Sequence, residues 1–161
     1  MFRNSYRTVL LLLAAAFVLI IAGTVQAQTA KQTFDTTQLT DPTFHDYNGV
    51  TINMTANEVR QKLGAPKDKS AEQDFYVISD KQNVQIFYDN TQKVRAIAIN
   101  YIGEGSNVPT CRTVLGADAT PSADGSVYKL VRYPRAGFWV SYNRTGGDEP
   151  LVIVTMQRLA Q

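Results

Sequence analysis

The chain has 161 residues, with 16 basic residues, 14 acidic residues and a formal net charge of +2 at pH 7. Two of the basic residues, Arg3 and Arg7, precede an apolar run from Val9 to Gly23, which Val25-Gln26-Ala27 follows. A basic start, a short apolar run and a small-x-small site are typical of a secretory signal peptide. An uncleaved anchor is the alternative, but a membrane span needs about 20 apolar residues. We therefore predict a signal peptide over 1–27 and an exported product, periplasmic or secreted.

Removal of the signal peptide balances the charge of the protein. The first 27 of the 161 residues contain two of the 16 basic residues and none of the 14 acidic ones, so 14 of each sign remain. Nucleic-acid binding depends on a basic surface that neutralises phosphates, and we therefore expect no nucleic-acid partner. The mature chain begins without a cysteine for lipid attachment. We expect a soluble product with no membrane span after cleavage.

Residues suited to catalysis or metal binding are few. Cys111 is the one cysteine and His45 the one histidine. Zinc sites need three or four His, Cys or carboxylate ligands, so we expect no metal and no cofactor. A Cys111–His45 pair of nucleophile and base would suit a small secreted hydrolase or thiol enzyme. We rank that class last, because His45 lies close to a polar segment predicted to be flexible, and we expect no enzymatic activity.

The mature chain opens with a polar stretch and then a well-marked helix start. Residues 28–45 are rich in threonine and lack periodicity, which predicts a flexible lead-in. Thr55 with Glu58 three positions later forms the pattern of a capping box. Met54 and Val59 are spaced for an apolar contact across the helix start. A helix is therefore predicted to begin at Thr55.

The end of this helix is marked as clearly as its start. Leu63 lies four positions after Val59 and extends the same apolar face. Gly64 supplies a residue that accepts positive φ, and Pro66 cannot continue a helix. The predicted helix has about two turns, so it needs packing against another element to be stable.

Three strand signals follow the helix. The segment 74–79 is rich in aromatic and β-branched residues, residues 84–88 alternate in polarity, and 94–102 form a longer apolar segment. The turn-forming stretch 89–92 separates the last two. A helix followed by three or four closely connected strands predicts an α+β unit, a short helix on an antiparallel meander, over 46–104.

The second half of the chain resembles the first. Residues 59–76 align without a gap on 111–128 when the chain is shifted by 52 positions. The identical pairs are Arg60/Arg112, Leu63/Leu115, Gly64/Gly116, Ala65/Ala117, Ser70/Ser122, Ala71/Ala123 and Tyr76/Tyr128. We therefore predict two tandem repeats, with the second over 105–161. Cys111 takes the place of Val59 on the inner helix face, so a buried structural thiol is expected.

The segment "INMTANEVRQKLGAP" resembles a module found in two groups of exported bacterial proteins. One is the BamE/SmpA-type component of the outer-membrane β-barrel assembly machinery, and the other is the β-lactamase-inhibitor-protein-like (BLIP-like) fold, whose members join two such units. The matching residues are Met54, Thr55, Val59, Leu63, Gly64 and Pro66. Asn53 stands where glycine is usual, and the second unit lacks the Met-Thr pair. The resemblance implies a protein-binding or envelope-associated module without enzymatic activity.

Strand alternation identifies a candidate binding surface. If Val84, Ile86 and Tyr88 point inward, Gln85 and Phe87 point outward. In the second unit, inward Phe138, Val140 and Tyr142 would place Trp139 and Ser141 outward. The candidate surface comprises Phe87, Trp139, Arg132, Tyr133 and Arg135. Aromatic and arginine side chains dominate protein interfaces, although Trp139 could instead pack under a loop or against the other unit.

The expected function is binding of another protein in the cell envelope or outside the cell, without catalysis. The alternative is a structural envelope protein whose repeats self-associate. The residue pattern names neither the partner nor the oligomeric state.

Overall fold

The computed structural model describes residues 34–35 and 41–160. The predicted signal peptide over 1–27 lies outside the described residues, as does most of the predicted lead-in. Phe34–Asp35 form a two-residue strand, β1, and Phe44 packs against the hydrophobic core. Phe44, near the C-terminal end of the lead-in predicted over 28–45, is thus partly buried against the core. Within the described ranges, no helix is long and apolar enough to cross a membrane.

Helix α1 spans Ala56–Leu63 and confirms the predicted helix signals. The Thr55 hydroxyl accepts from the Glu58 N–H at 3.4 Å, and the Glu58 carboxylate accepts from the Thr55 N–H at 2.8 Å. Val59 is fully buried, and Leu63 packs at the edge of the core. Gly64 has the expected positive φ, +83°, but its ψ of −160° is extended rather than left-handed helical.

Helix α2 spans Cys111–Leu115 and is shorter than α1. Thr110 caps it by accepting from the Thr113 N–H at 3.1 Å, and Gly116 ends it in the left-handed conformation. Cys111 and Leu115 are buried, which confirms the predicted burial of the thiol.

Eight strands form one sheet in the order β1-β6-β7-β8-β5-β4-β3-β2. After β1 the strands are β2 Asp68–Lys69, β3 Gln73–Ser79, β4 Gln82–Tyr88, β5 Val94–Ile102, β6 Val127–Tyr133, β7 Phe138–Arg144 and β8 Leu151–Arg158. β1 pairs parallel to β6, and the other neighbours are antiparallel. The described part of the chain is mostly β with two short helices; α1 precedes the meander β2–β5, and α2 precedes the meander β6–β8.

The two meanders join at the centre of the sheet. β5 pairs with β8 from Ala96↔Gln157 to Ile102↔Leu151, so hydrogen bonding continues from one meander into the next. One core forms on the side of the sheet where both helices pack. Its strand side chains with 0% exposure are Val84, Ile86, Val94, Ile97, Ile99, Val131, Val154 and Met156.

One pair of the ungapped sequence alignment falls on opposite sides of the sheet. Tyr76 is buried in the core, with 3% of its surface exposed, whereas Tyr128 is 45% exposed. A strand shifted by an odd number of residues presents every side chain on the other face. The identity of Tyr76 and Tyr128 therefore does not mark equivalent positions, although Gly64 and Gly116 both end helices.

Candidate functional site

The side of the sheet away from the helices, called the open face below, brings together two residues of the predicted surface. Trp139 pairs with Gln157, Gln157 with Ala96, and Ala96 with Phe87. Residues that are paired across a sheet point to the same face. Strands lie 4.7–4.9 Å apart, so the two aromatic residues are separated by about 14 Å. We call this row the aromatic rung: Arg132, Trp139, Gln157, Ala96, Phe87 and Gln73.

The aromatic side chains of this rung are half-buried rather than fully exposed. The Arg95 guanidinium carbon lies 5.6 Å from the centroid of the Phe87 ring, and Arg95 Nε donates to the Tyr88 carbonyl oxygen at 3.1 Å. A guanidinium at this distance from a ring is within cation–π range. The ring of Phe87 is therefore held beside a cation at the surface.

The remaining predicted surface residues divide between exposed and buried. Arg132 is exposed and pairs with Trp139 in the β6–β7 ladder. Arg135 is exposed in the turn between these strands. The prediction for Tyr133 was wrong: it is 2% exposed, and its ring centroid lies 6.0 Å from that of Phe138. Alternation explains this, because Tyr133 follows Arg132 and so points to the opposite face.

The open face is not uniformly accessible. Ser141, predicted to point outward, lies on this face but is buried, and so are Leu130 and Ala96. The small residues Ala98 and Thr155 are half-buried. The face therefore has a shallow middle of small side chains, with larger residues on either side.

The first half of the chain contains a buried ionic cluster that was not predicted from the sequence. Asp74 on β3 is fully buried. Arg60 of α1 donates from Nε to Oδ2 and from Nη2 to Oδ1 of Asp74, both at 2.9 Å. The Tyr88 hydroxyl donates to Oδ2 at 2.8 Å, and the Tyr76 hydroxyl lies 3.5 Å from the same oxygen. We call these four residues the Asp74 cluster.

The properties of the Asp74 cluster are those of a structural contact between α1 and the sheet, and not those of a reactive site. Burial, followed by the hydrogen bond to Asp74, raises the pKa of Tyr88. Burial and the charge of Asp74 raise the pKa of Tyr76 to about 12. Bonding to Asp74 raises the pKa of Arg60. All these shifts hold the proton donors in their protonated forms. The sequence signal that could have indicated the burial of Asp74 is the alternation Asp74-Phe75-Tyr76, which places the Asp74 and Tyr76 side chains on the same, inward face.

A second ionic link joins β8 to the β4–β5 turn. Arg158 donates to Asp89 Oδ2 at 2.8 Å and to Asn53 Oδ1 at 2.9 Å. Bonds from Thr91 first, and then from Arg158, lower the pKa of Asp89. Asn53 has a φ of +69°, which asparagine tolerates better than most residues. The amide oxygen of Asn53 gives Arg158 a partner.

The proposed thiol chemistry is poorly supported by the geometry. Cys111 is 7% exposed, and burial raises the pKa of its thiol, which disfavours the reactive thiolate. His45 is exposed and lies 3.1 Å from Asp46. In the described part of the chain, no three His, Cys, Asp or Glu side chains group as a metal site would require.

Comparison with known proteins gives little support for any particular family. No family model and no curated protein matches the chain. Among solved structures, the chain is similar to a DUF4309 family protein, YjgB, from Bacillus subtilis subsp. subtilis strain 168, with 17% sequence identity and a TM-score of 0.42. The match covers 70% of this chain and 84% of that protein.

Proposed function

We propose that the chain is an exported, non-catalytic module that binds another protein through the open face of its sheet. The placement of Trp139 and Phe87 on one rung supports this proposal most directly. Tryptophan and arginine are enriched among the residues that dominate binding energies, and Arg132 and Arg95 adjoin these two rings. The apolar run and cleavage pattern before residue 28 support export.

The tandem-repeat architecture belongs to the same proposal. Each half has a threonine-capped helix, a glycine helix end and an antiparallel meander, with four strands in the first half and three in the second. The apolar segments VRAIAI (94–99) and LVIVTM (151–156) resemble each other and are 57 positions apart. Ala98 pairs with Thr155, which is also 57 positions later. A two-fold relation between repeats would pair equivalent residues at its axis in this way. This arrangement supports the resemblance to the BamE/SmpA-type and BLIP-like modules.

Crosslinked capture from an envelope extract tests the proposed surface. The mature wild-type protein and Trp139→Ala are compared, with Tyr128→Ala as the matched control. Tyr128 is an exposed aromatic residue on the same face but on a different rung. We expect Trp139→Ala to lose a partner that wild type and Tyr128→Ala retain. Equal recovery of every partner by the three proteins would contradict binding through this surface, provided that their melting temperatures agree.

Self-association is the second candidate function, and the edge of β3 favours it. In the described sheet, β2 pairs with Asp74 and Phe75 only, which leaves the outer edge of residues 76–79 without a strand. Val77 is 55% exposed and Ile78 is 45% exposed at this edge. Apolar edge strands readily pair with another chain.

Sedimentation separates the two candidate functions. If β3 edges pair between copies, the sedimentation coefficient rises with concentration, and Val77→Lys lowers that dependence. Tyr128→Lys, which changes an equally accessible residue on β6, serves as control. A monomer at every concentration tested excludes self-association through this edge.

A further inference from the structure

The open face carries two arginines on its strands, and its one described strand carboxylate is Asp68 of the short edge strand β2, which pairs with Phe75. Among the described strands β3 to β8, the outward positions hold Arg95 and Arg132 and no Asp or Glu. Both arginines are exposed and lie at the end of the sheet that contains the aromatic rung. Arg135 adds a third cation in the adjoining turn. Apolar anchors and positive charge therefore coincide at one end of one face.

The opposite end of the sheet has the opposite charge. Its described turns and loops contain the carboxylates Asp80, Glu104, Asp124, Asp148 and Glu149. Lys81 and Arg144 also lie there, and Arg144 is bound to Glu104. The end with the aromatic rung also carries the carboxylates Glu72 and Asp89, but with Lys93 and Arg158 its cations remain in excess. Residues 41–160, which contain 13 basic and 13 acidic residues, are thus polarised along the strands. Such a field orients an approaching charged partner and suppresses the reversed orientation.

A cleft beside the rung adds a concave site for an anionic group. It has a volume of about 370 Å³ and is lined by Arg95, Gln157, Arg158, Leu159 and Ala160. Arg158 is fixed by Asp89 and Asn53, and Arg95 is fixed by the Tyr88 carbonyl oxygen and the Phe87 ring. The Arg95 guanidinium, which is already held in place, loses little side-chain entropy when an anion binds, whereas the charge of Arg158 is balanced by Asp89.

We propose that the partner presents an acidic protein segment, in which carboxylates alternate with apolar side chains, to the aromatic rung and this cleft. This inference rests on the protein-binding function proposed above. Guanidinium groups form paired hydrogen bonds with carboxylates, and Trp139 and Phe87 supply the apolar contacts. An anionic lipid surface would also attract cations, but binding to lipid generally uses clusters of four to eight basic residues. The open face has two, and the turn adds one.

Fluorescence of Trp139 tests the inference directly, because this is the one tryptophan in the chain. The probes are a peptide in which glutamate alternates with leucine and tyrosine, the same peptide with glutamine for glutamate, and phosphatidylglycerol vesicles. We expect a saturable change with the glutamate peptide, at least tenfold weaker binding of the glutamine peptide, and weakening by salt. Equal binding of both peptides overturns the inference, as does a response to vesicles alone.

Matched single variants show whether the arginines act through charge. Arg95→Glu should weaken binding of the glutamate peptide at least tenfold. Arg112→Glu makes the same charge change at an exposed position of α2, on the helix side of the sheet, and should not weaken it. Arg95→Gln, which removes the charge without reversing it, should have an intermediate effect. Equal binding by Arg95→Glu and Arg112→Glu would contradict the role given to Arg95, provided that both variants melt like wild type.

The envelope capture distinguishes failure of this inference from failure of the proposed function. If Trp139→Ala loses a partner and Arg95→Glu retains it in high salt, protein binding stands and the acidic partner is wrong. If Trp139→Ala retains every partner, the proposed surface itself fails, whatever the peptides do.

Discussion

Arg60 and Arg112 each lie four residues before the glycine that ends their helix, and yet they bind very different partners. The N–H of the helix-ending glycine donates to the carbonyl oxygen of each arginine, at 3.0 Å in α1 and 2.8 Å in α2. Arg60 binds Asp74, which is fully buried on β3. Arg112 binds Asp118, and their side chains are 69% and 64% exposed. The local motif determines where the helix ends. The burial of the partner carboxylate, which depends on the tertiary structure, determines how much the ion pair contributes to stability.

The largest expected effect comes from removing Arg60. Arg60→Leu leaves the Asp74 carboxylate buried without its cation, and breaking one side of a buried ion pair costs about 3–5 kcal/mol. We expect a loss of this size in the free energy of unfolding, measured in urea. Arg112→Leu breaks an exposed pair, and such pairs contribute little. It should leave the urea midpoint almost unchanged.

A double variant sharpens this contrast. Replacing both partners of a buried pair by apolar residues is often far less costly than removing one. Arg60→Leu/Asp74→Leu should therefore recover part of the stability lost in Arg60→Leu, although the Tyr88 hydroxyl loses its acceptor. If Arg60→Leu is no more harmful than Arg112→Leu, the two halves do not differ as their geometry implies.

The next effect in size comes from the tyrosine that also binds Asp74. Tyr88→Phe removes a hydrogen bond of 2.8 Å to a charged acceptor, and bonds of this type contribute about 1.5–3 kcal/mol. Tyr142 on β7 has a ring that is buried to a similar extent but no bond to the Asp74 cluster. Tyr142→Phe should cost less in the same unfolding measurement. Equal losses would show that ring burial, rather than the cluster, sets the effect.

Alkaline pH gives a smaller and graded test of the same cluster. The pKa values of Tyr76 and Tyr88 are raised in the folded protein, to about 12 for Tyr76, from an ordinary value of 10.0. The unfolded chain therefore loses these protons first as the pH rises. The contribution of these two tyrosines to stability should be constant below about pH 10 and should decrease as the pH rises from about 10 towards 12.

Tyr88→Phe identifies the source of this decline. The variant has one fewer tyrosine with a raised pKa, so its stability should fall less steeply, while other buried tyrosines such as Tyr133 still contribute. Urea midpoints at about pH 8 and about pH 11.5 for both proteins provide the measurement. Parallel declines in the two proteins would exclude Tyr88 as a contributor.

The sequence predicts local features of this fold better than long-range ones. Thr55 and Glu58 are three residues apart, and their capping box follows from that spacing. Cys111 was correctly placed in the core because the alignment of 59–76 with 111–128 puts it in the place of Val59 on the inner helix face. Asp74 and Arg60 are 14 residues apart, and only the packing of α1 against β3 brings them together. No local signal marks that contact.

The same difference between local and long-range features applies to the candidate site. Alternation correctly placed Phe87 and Trp139 on one face, because period two is a local property of strands. That they share a rung depends on the β5–β8 register, which joins residues more than 50 positions apart. Tyr133 was misplaced because the prediction grouped it with its neighbours Arg132 and Arg135, whereas adjacent residues in a strand point to opposite faces.

The smallest effects on the free energy of unfolding are expected at the starts of the two helices, where both halves have a threonine cap. Thr55 and Thr110 each cap a helix with a side-chain hydroxyl, and loss of such a cap costs about 1 kcal/mol. Thr55→Ala and Thr110→Ala should therefore lower the free energy of unfolding by similar amounts, although α1 has eight residues and α2 has five. Thr113→Ala, which keeps the Thr110 cap, controls for loss of a nearby hydroxyl. If Thr110→Ala has no effect, burial of Cys111, Val114 and Leu115, rather than the cap, stabilises α2. The two threonine caps would then differ in their contribution to stability.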